Sequence, residues 1–393
     1  MKTILCVLSS VIFISWSAQA STQSSIPVET STSVQASNNV SASQCHWSQW
    51  QSFKAHYIED GRVVDSSDER NITTSEGQSY GMFFALVAND KAAFQQQLDW
   101  TEEYLAGGDL TARLPAWLWG TKPDGSKGIL DTNTASDSDL WIAYSLVEAG
   151  QKWDNYYYQT LGHLLASRIL REETATVDGY GKVLLPGREG FILGDNHVRF
   201  NPSYFPLQIL TRMKSLYPDY QWQELVESSD KLLLESMPKG ISPDWAELTT
   251  KGIQPDSQTE SLGSYNAIRT YLWAATLAND SPYKKPLIEK MQPLVKILQD
   301  EGKMPEELDA QTGNYQGQGG VGINAAVIPL LQVSGKDQLA SQFRHQTEQA
   351  LPTIASGSYY NSVLALFAQG WLEGRYQFDK TGQLMTNWDD ACQ

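Results

Sequence analysis

Cysteine, histidine and positive charge are scarce in this chain. Its 393 residues include 3 Cys and 5 His, and 29 Lys and Arg stand against 45 Asp and Glu, a formal net charge of −16. The histidines (His46, His56, His163, His197, His345) are scattered, with no H-E-x-x-H run and no Cys cluster. Zinc chemistry therefore has no ligand set, and no metal or other cofactor is implied. No dense Lys/Arg run offsets the acidity, which disfavours nucleic acid, anionic lipid headgroups and polyanionic substrates. Beyond Trp16 no segment approaches the ~20 apolar residues that a membrane span needs. Strand signals are few: Lys182–Pro186, Phe191–Leu193, and a hairpin around Arg375–Phe378 that turns at Lys380-Thr381-Gly382.

What is abundant is apolar and aromatic. The chain is 41% hydrophobic and carries 13 Trp and 18 Tyr, enough for a large core and a surplus of flat rings with polar edges, compatible with sugar binding. Residues 1–20 read as an export signal: Lys2, the apolar stretch Ile4 to Trp16, and the small-residue cleavage site Ala18-Gln19-Ala20. The mature protein is expected to be periplasmic or secreted, with no stable membrane insertion once the signal is removed. Residues 21–43, rich in Ser and Thr without apolar periodicity, read as a flexible spacer. A single domain is expected over 44–393. Cys6 lies in the signal, so Cys45 and Cys392 remain for an oxidising compartment, and a disulfide between them is expected. It would close nearly the whole chain into a loop, worth about 4–5 kcal/mol in the chain-entropy model.

Apolar residues recur at three- and four-residue spacing, as in Tyr80, Phe83, Phe84 and Val87 or Leu140, Ile142, Ala143, Leu146 and Val147. Twelve helices are expected, near 44–57, 75–89, 91–105, 137–150, 154–171, 203–216, 220–236, 259–278, 282–300, 321–334, 336–350 and 357–372. Short turns (Ala88-Asn89-Asp90, Gly150 to Asp154, Ala278-Asn279-Asp280) alternate with long loops bearing Gly, Pro and Trp. That alternation suggests helical hairpins with their long loops gathered at one end, where a site would be built.

Two motifs point to other chemistries and lack the context for them. Gly77-Gln78-Ser79-Tyr80-Gly81 matches the G-x-S-x-G nucleophile elbow of serine hydrolases, but polar residues 70–76 precede it where a buried strand is needed. Gly317 to Gly322 satisfies G-x-G-x-x-G without a preceding strand or a βαβ unit. What remains is carboxylates among aromatics at helix starts, Ser75-Glu76 and Ser136-Asp137-Ser138-Asp139. Serine capping followed by first-turn acids explains such runs equally well. The loops Pro115-Ala116-Trp117-Leu118-Trp119, Asn201-Pro202-Ser203-Tyr204 and Ser242-Pro243-Asp244-Trp245 place aromatics beside polar groups, faces on which sugar rings stack or which simply cover the core.

The run Ala135-Ser136-Asp137-Ser138-Asp139-Leu140-Trp141-Ile142-Ala143-Tyr144 resembles the signature of glycoside hydrolase family 8. Similar in the same way are Ser75-Glu76-Gly77-Gln78-Ser79-Tyr80-Gly81-Met82, the Trp117/Trp119 loop, Arg199-Phe200-Asn201-Pro202-Ser203-Tyr204 and Ser264-Tyr265 with Ala267-Ile268-Arg269. The resemblance runs from about residue 44 to the end. It is strongest to the periplasmic endoglucanases that accompany bacterial cellulose synthesis, which implies a functional association with cellulose synthase machinery. It also implies an all-α fold, the (α/α)6 barrel, and hydrolysis of β-1,4-glucan with inversion at the anomeric carbon. Glu76 falls on the family's proton donor and Asp137 on the aspartate used at the scissile sugar. Trp117, Trp119, Asp139, Tyr204, Tyr265, Asn266 and Arg269 fall on substrate-binding positions.

An inverting site needs a protonated acid and an ionised base ~6.5–9.5 Å apart, with room for a water. Glu76 can be that acid at neutral pH only if desolvation or a nearby carboxylate outweighs the helix N-terminus, which would lower its pKa. One position departs from the family. Where close relatives carry the water-activating Asp, this chain has Asn266, and an amide cannot accept the proton. Asp137, Asp139, Asp195, Asp244 and Glu260 are the candidate substitutes. Asn266 also supports a second reading, a non-catalytic or weakly active glucan-binding protein, and pocket contacts leave xylan and chitosan open as substrates.

Overall fold

Among the described residues, prolines turn the twelve expected helices into fourteen. The segment expected at 282–300 is broken between Lys284–Lys290 and Gln292–Glu301, and that at 321–334 between Val321–Ala326 and Ile328–Val333. Pro293 and Pro329 sit in the first turn of the second half in each case, where a missing N–H is harmless to the new helix but cannot continue the old one. The computed structural model describes residues 46–354 and 359–388. The export signal, the spacer, Cys45, Cys392 and the disulfide expected between them lie outside the described residues.

In chain order the helices are α1 Ser48–Tyr57, α2 Ser75–Val87, α3 Lys91–Leu105, α4 Ser136–Lys152, α5 Tyr156–Glu172, α6 Leu207–Leu216 and α7 Trp222–Ser236. There follow α8 Ile268–Thr276, α9 Lys284–Lys290, α10 Gln292–Glu301, α11 Val321–Ala326, α12 Ile328–Val333, α13 Asp337–Ile354 and α14 Tyr359–Leu372. In α2, α4 and α8 nearly every side chain is buried, whereas α3, α5 and α7 each bury one stripe. A helix buried all round has protein on every side. Accordingly α2, α4, α6, α8, α11–α12 and α14 form an inner ring in which each packs on the next, and the others back them as hairpin partners. Phe83 and Phe84 of α2 meet Phe367 of α14 at 5.5 and 4.6 Å between ring centroids, closing the ring. The architecture is the expected (α/α)6 barrel.

Aromatic residues fill the barrel axis. Trp141 of α4 lies 4.8 Å from Phe83 and 5.1 Å from Trp273 of α8, which lies 5.0 Å from Phe367. Burying each such ring contributes about 1.5–3 kcal/mol, and the plug is the floor on which the site rests.

Six small antiparallel sheets decorate the described part of the barrel. The expected strands are present: Gly181–Leu184 pairs with Thr174–Val177, Ile192–Gly194 edges a four-stranded sheet, and Tyr376–Phe378 pairs with Leu384–Thr386. Others were not expected, because two- to five-residue strands carry too little alternation to read. Among them Thr73–Thr74 pairs with Leu118–Trp119 and leads directly into α2. Pairing of Leu262–Gly263 with Leu308–Asp309 likewise delays the helix expected from 259 until Ile268.

Candidate active site

The serines at the two acidic helix starts do not cap them. Thr74 caps α2, its side chain accepting from the Gly77 N–H at 3.0 Å, so Ser75 and Glu76 already lie in the first turn. At α4 the cap position is Ala135, with no side-chain bond. The Ser75 and Ser138 hydroxyls instead hydrogen-bond to each other at 2.6 Å, tying the starts of α2 and α4 together. The Ser75 N–H donates to the Trp117 carbonyl and the Ser136 N–H to the Pro186 carbonyl, each at 2.9 Å. Glu76 and Asp137, each one residue beyond these anchors, are thereby aimed at one point.

Arg269, from the first turn of α8, occupies that point and is only 2% exposed. Its Nη1 donates to Glu76 Oε2, to Asp137 Oδ2 at 2.9 Å and to the Tyr80 hydroxyl at 2.9 Å, and Nη2 reaches Asn266 Oδ1 at 3.3 Å. The guanidinium lies 5.5 Å from the Tyr204 ring. Asn201 Nδ2 approaches Asn266 Oδ1 at 3.4 Å. The structure therefore brings together Glu76, Asp137, Tyr204, Asn266 and Arg269, and adds Tyr80 and Asn201.

Burial pushes the Glu76 carboxyl up to about 7; the Asp137 charge adds to the rise and Arg269 opposes it. Its side chain keeps 21% of its surface open, whereas that of Asp137 keeps 3%. Burial raises Asp137 as well, with Arg269 pulling the other way. One guanidinium nitrogen thus holds an oxygen of each acid, drawing both carboxyl groups onto a single cation.

Asp139 does not join the cluster on Arg269. It is 1% exposed, and among the described residues no N–H or hydroxyl donor reaches either of its oxygens or Oε2 of Glu173. Burial and the facing Glu173 hold Asp139 well above the usual carboxylate range, and burial takes Glu173 to about 8. Asp244 is bound to the segment carrying Asn266: its Oδ1 accepts the backbone N–H groups of Ser264, Asn266 and Ala267 at 2.8, 3.1 and 2.7 Å. Burial nevertheless raises its pKa against these three donors. Asp195 and Glu260 are exposed.

Tyr265 is 42% exposed, and its carbonyl accepts from the Tyr360 hydroxyl at 3.0 Å. Trp117 is half-buried, and its carbonyl holds Ser75. Trp119 packs instead with Trp100, at 5.5 Å, in a small separate cluster. Sequence reasoning missed Tyr80 and Tyr360. Tyr80 stands four residues after Glu76, one turn along the same helix face, which was a usable signal; nothing in the sequence marked Tyr360. Ser79 is buried inside α2 and donates to the Glu76 carbonyl at 2.7 Å, so no nucleophile elbow exists. The glycine-rich run follows a two-residue antiparallel strand, Tyr315–Gln316, and not the parallel strand of a dinucleotide site. Among the described residues no group of three or more His, Cys, Asp or Glu is arranged to hold a metal, and no helix is long and apolar enough to cross a membrane.

The family model described as glycosyl hydrolases family 8 matches residues 25–374. The endoglucanase of Escherichia coli K12 is 46% identical over 353 residues, covering 88% of this chain and 93% of that protein. An endoglucanase of Xanthomonas axonopodis pv. citri is 40% identical over 354 residues, covering 89% of this chain and 92% of its own. The crystal structure of an endo-1,4-D-glucanase from Vibrio fischeri superposes with a TM-score of 0.86 at 58% identity, over 88% of this chain and 100% of that one.

Proposed function

The chain belongs to glycosyl hydrolase family 8, and from that premise we propose an exported endo-β-1,4-glucanase that cuts cellulose or a related glucan with inversion. The observation that carries the reading is the partly open Glu76 carboxyl, raised to about 7 beside a buried Arg269–Asp137 pair. At neutral pH a large fraction of Glu76 holds its proton, ready for the leaving glycosidic oxygen. Once the proton is given up, Arg269 stabilises the carboxylate left behind. Asp137, held on the same guanidinium, in its ionised form places negative charge where the oxocarbenium-like transition state develops positive charge.

Asn266 orients the attacking water through its amide but cannot take its proton. That task falls to Asp244, whose Oδ1 is saturated by three backbone donors on the Asn266 segment and whose other oxygen accepts none of them. Tyr204, Tyr265 and Trp117 supply aromatic faces for successive glucose rings. The signal at residues 1–20 supports delivery to the periplasm or the exterior, and the resemblance to endoglucanases of cellulose synthesis supports work beside that machinery.

The test follows both reducing ends and anomer during cellopentaose hydrolysis. Release of the α-anomer is expected. Release of the β-anomer would overturn inversion, and tight binding without release would favour the glucan-binding reading, with Asn266 as its cause.

A further inference from the structure

Beside Trp119, whose strand pairs with the one leading into the Glu76 helix, a cleft of about 860 Å³ opens. Its wall is aromatic: Tyr104 stacks on Trp100 at 5.0 Å and 28° between planes, and Trp119 stands edge-on to both, at 6.2 and 5.5 Å. Trp100 and Trp119 are nearly buried, but Tyr104 is 46% exposed, so its outer surface is available to a ligand. Three acidic and three basic side chains line the remainder, Glu103, Arg62 and Lys122 among them. None of the lining residues hydrogen-bonds to Glu76, Asp137 or Arg269.

We propose that this cleft is a second binding site for the enzyme's own polymeric substrate, a β-linked glucan chain, separate from the catalytic centre. Flat rings beside hydroxyl-bonding groups suit a neutral sugar polymer, and balanced charge gives no preference for a polyanion or a polycation. A small apolar ligand would lie against six ionic groups to which it offers no hydrogen bond. The cleft is also joined to the catalytic strand. Arg62 lies 4.4 Å over the Trp119 ring while its Nε donates to Thr73 Oγ1 at 2.8 Å, and Thr73 pairs with Trp119 just ahead of Glu76. A glucan resting on Tyr104 would be anchored next to the strand that leads into the acid's helix, keeping a long chain near the catalytic cleft between cuts.

The proposal rests on the glucanase reading, so binding and turnover are measured separately. In the full chain carrying Glu76→Gln, retention on insoluble cellulose is compared with and without Tyr104→Ala. The second replacement is expected to weaken retention roughly two- to tenfold, the range of one aromatic contact, while Tyr104→Phe restores it. In the chain with native Glu76, Tyr104→Ala should raise KM on long polymer and leave cellotetraose kinetics unchanged. Retention unaffected by Tyr104→Ala, or equal loss on polymer and tetraose, would overturn the second site. Absence of cellotetraose hydrolysis by the native protein would instead count against the glucanase reading.

Discussion

Replacing Asp244 by Asn is the most direct probe of how water is activated without an Asp at 266. The amide retains an oxygen for the three backbone donors that Asp244 Oδ1 accepts at 2.7–3.1 Å. Each of those bonds loses its charge assistance, a change of about 1 kcal/mol per bond at most, so the segment should hold its shape. What disappears is the carboxylate hydrogen-bonded to the Asn266 segment's backbone at residues 264, 266 and 267. Loss of a general base lowers kcat by about 10²–10⁴. The companion change is Asn266→Asp. Asn266 is bonded to Arg269 and Asn201 through its oxygen, at 3.3 and 3.4 Å, and a carboxylate accepts both bonds, the first now charge-assisted. In the Asp244→Asn background this second change should recover at least about tenfold of the lost rate. The assay is initial rate on carboxymethylcellulose, with thermal melting as the control for folding. Native-like kcat in Asp244→Asn, with an unchanged melting profile, would refute the assignment.

Glu76→Gln should lower kcat by about 10²–10⁴ with cellopentaose affinity retained, checked by calorimetric titration. The Glu76 pKa is raised from its ordinary value to about 7, so activity should fall as pH rises through about 7, and it should fall again in acid as the base is protonated. The same shift has a stability sign: between the unfolded and folded values the native state binds more protons than the unfolded one, so this group's contribution is lost as pH rises through that window, read from urea midpoints at several pH values. Arg269→Leu leaves Glu76 and Asp137 facing each other without a cation and should cost about 3–5 kcal/mol at neutral pH, less in acid where both can be protonated. Ser138→Ala strands the buried Ser75 hydroxyl and should cost about 1–3 kcal/mol in the same measurement.

The barrel was legible because its helices carry long apolar stripes; even the proline breaks preserve them, and only the counting changes. The short sheets were not, since Thr73–Thr74 or Leu262–Gly263 is a pair of residues with no period to detect. At the site, Glu76 and Asp137 were visible as acids at helix starts, yet their purpose was not, because capping would have produced the same letters. Their convergence is decided by the Ser75–Ser138 bond and by Arg269, contacts across 63 to 193 residues that no local pattern encodes. Asp139 shows the converse: two residues after Asp137 in one helix turn, it points away, into a carboxyl pair with Glu173. Trp117 and Trp119 diverge for a related reason, a register shift between Leu118 and Trp119 that breaks the alternation of the strand.

The single guanidinium at the centre also sets the moment at which the protein becomes an enzyme. Arg269 follows Asp137 by 132 residues and Glu76 by 193, so a chain made from its N-terminus has both acids in hand long before their cation exists. Until the fourth inner helix arrives, those two carboxyls have no charged partner to gather around, and the two helix starts have no common target. Such distant pairings form late and slowly. An N-terminal product that stops before residue 269 lacks the cation that joins the two acids.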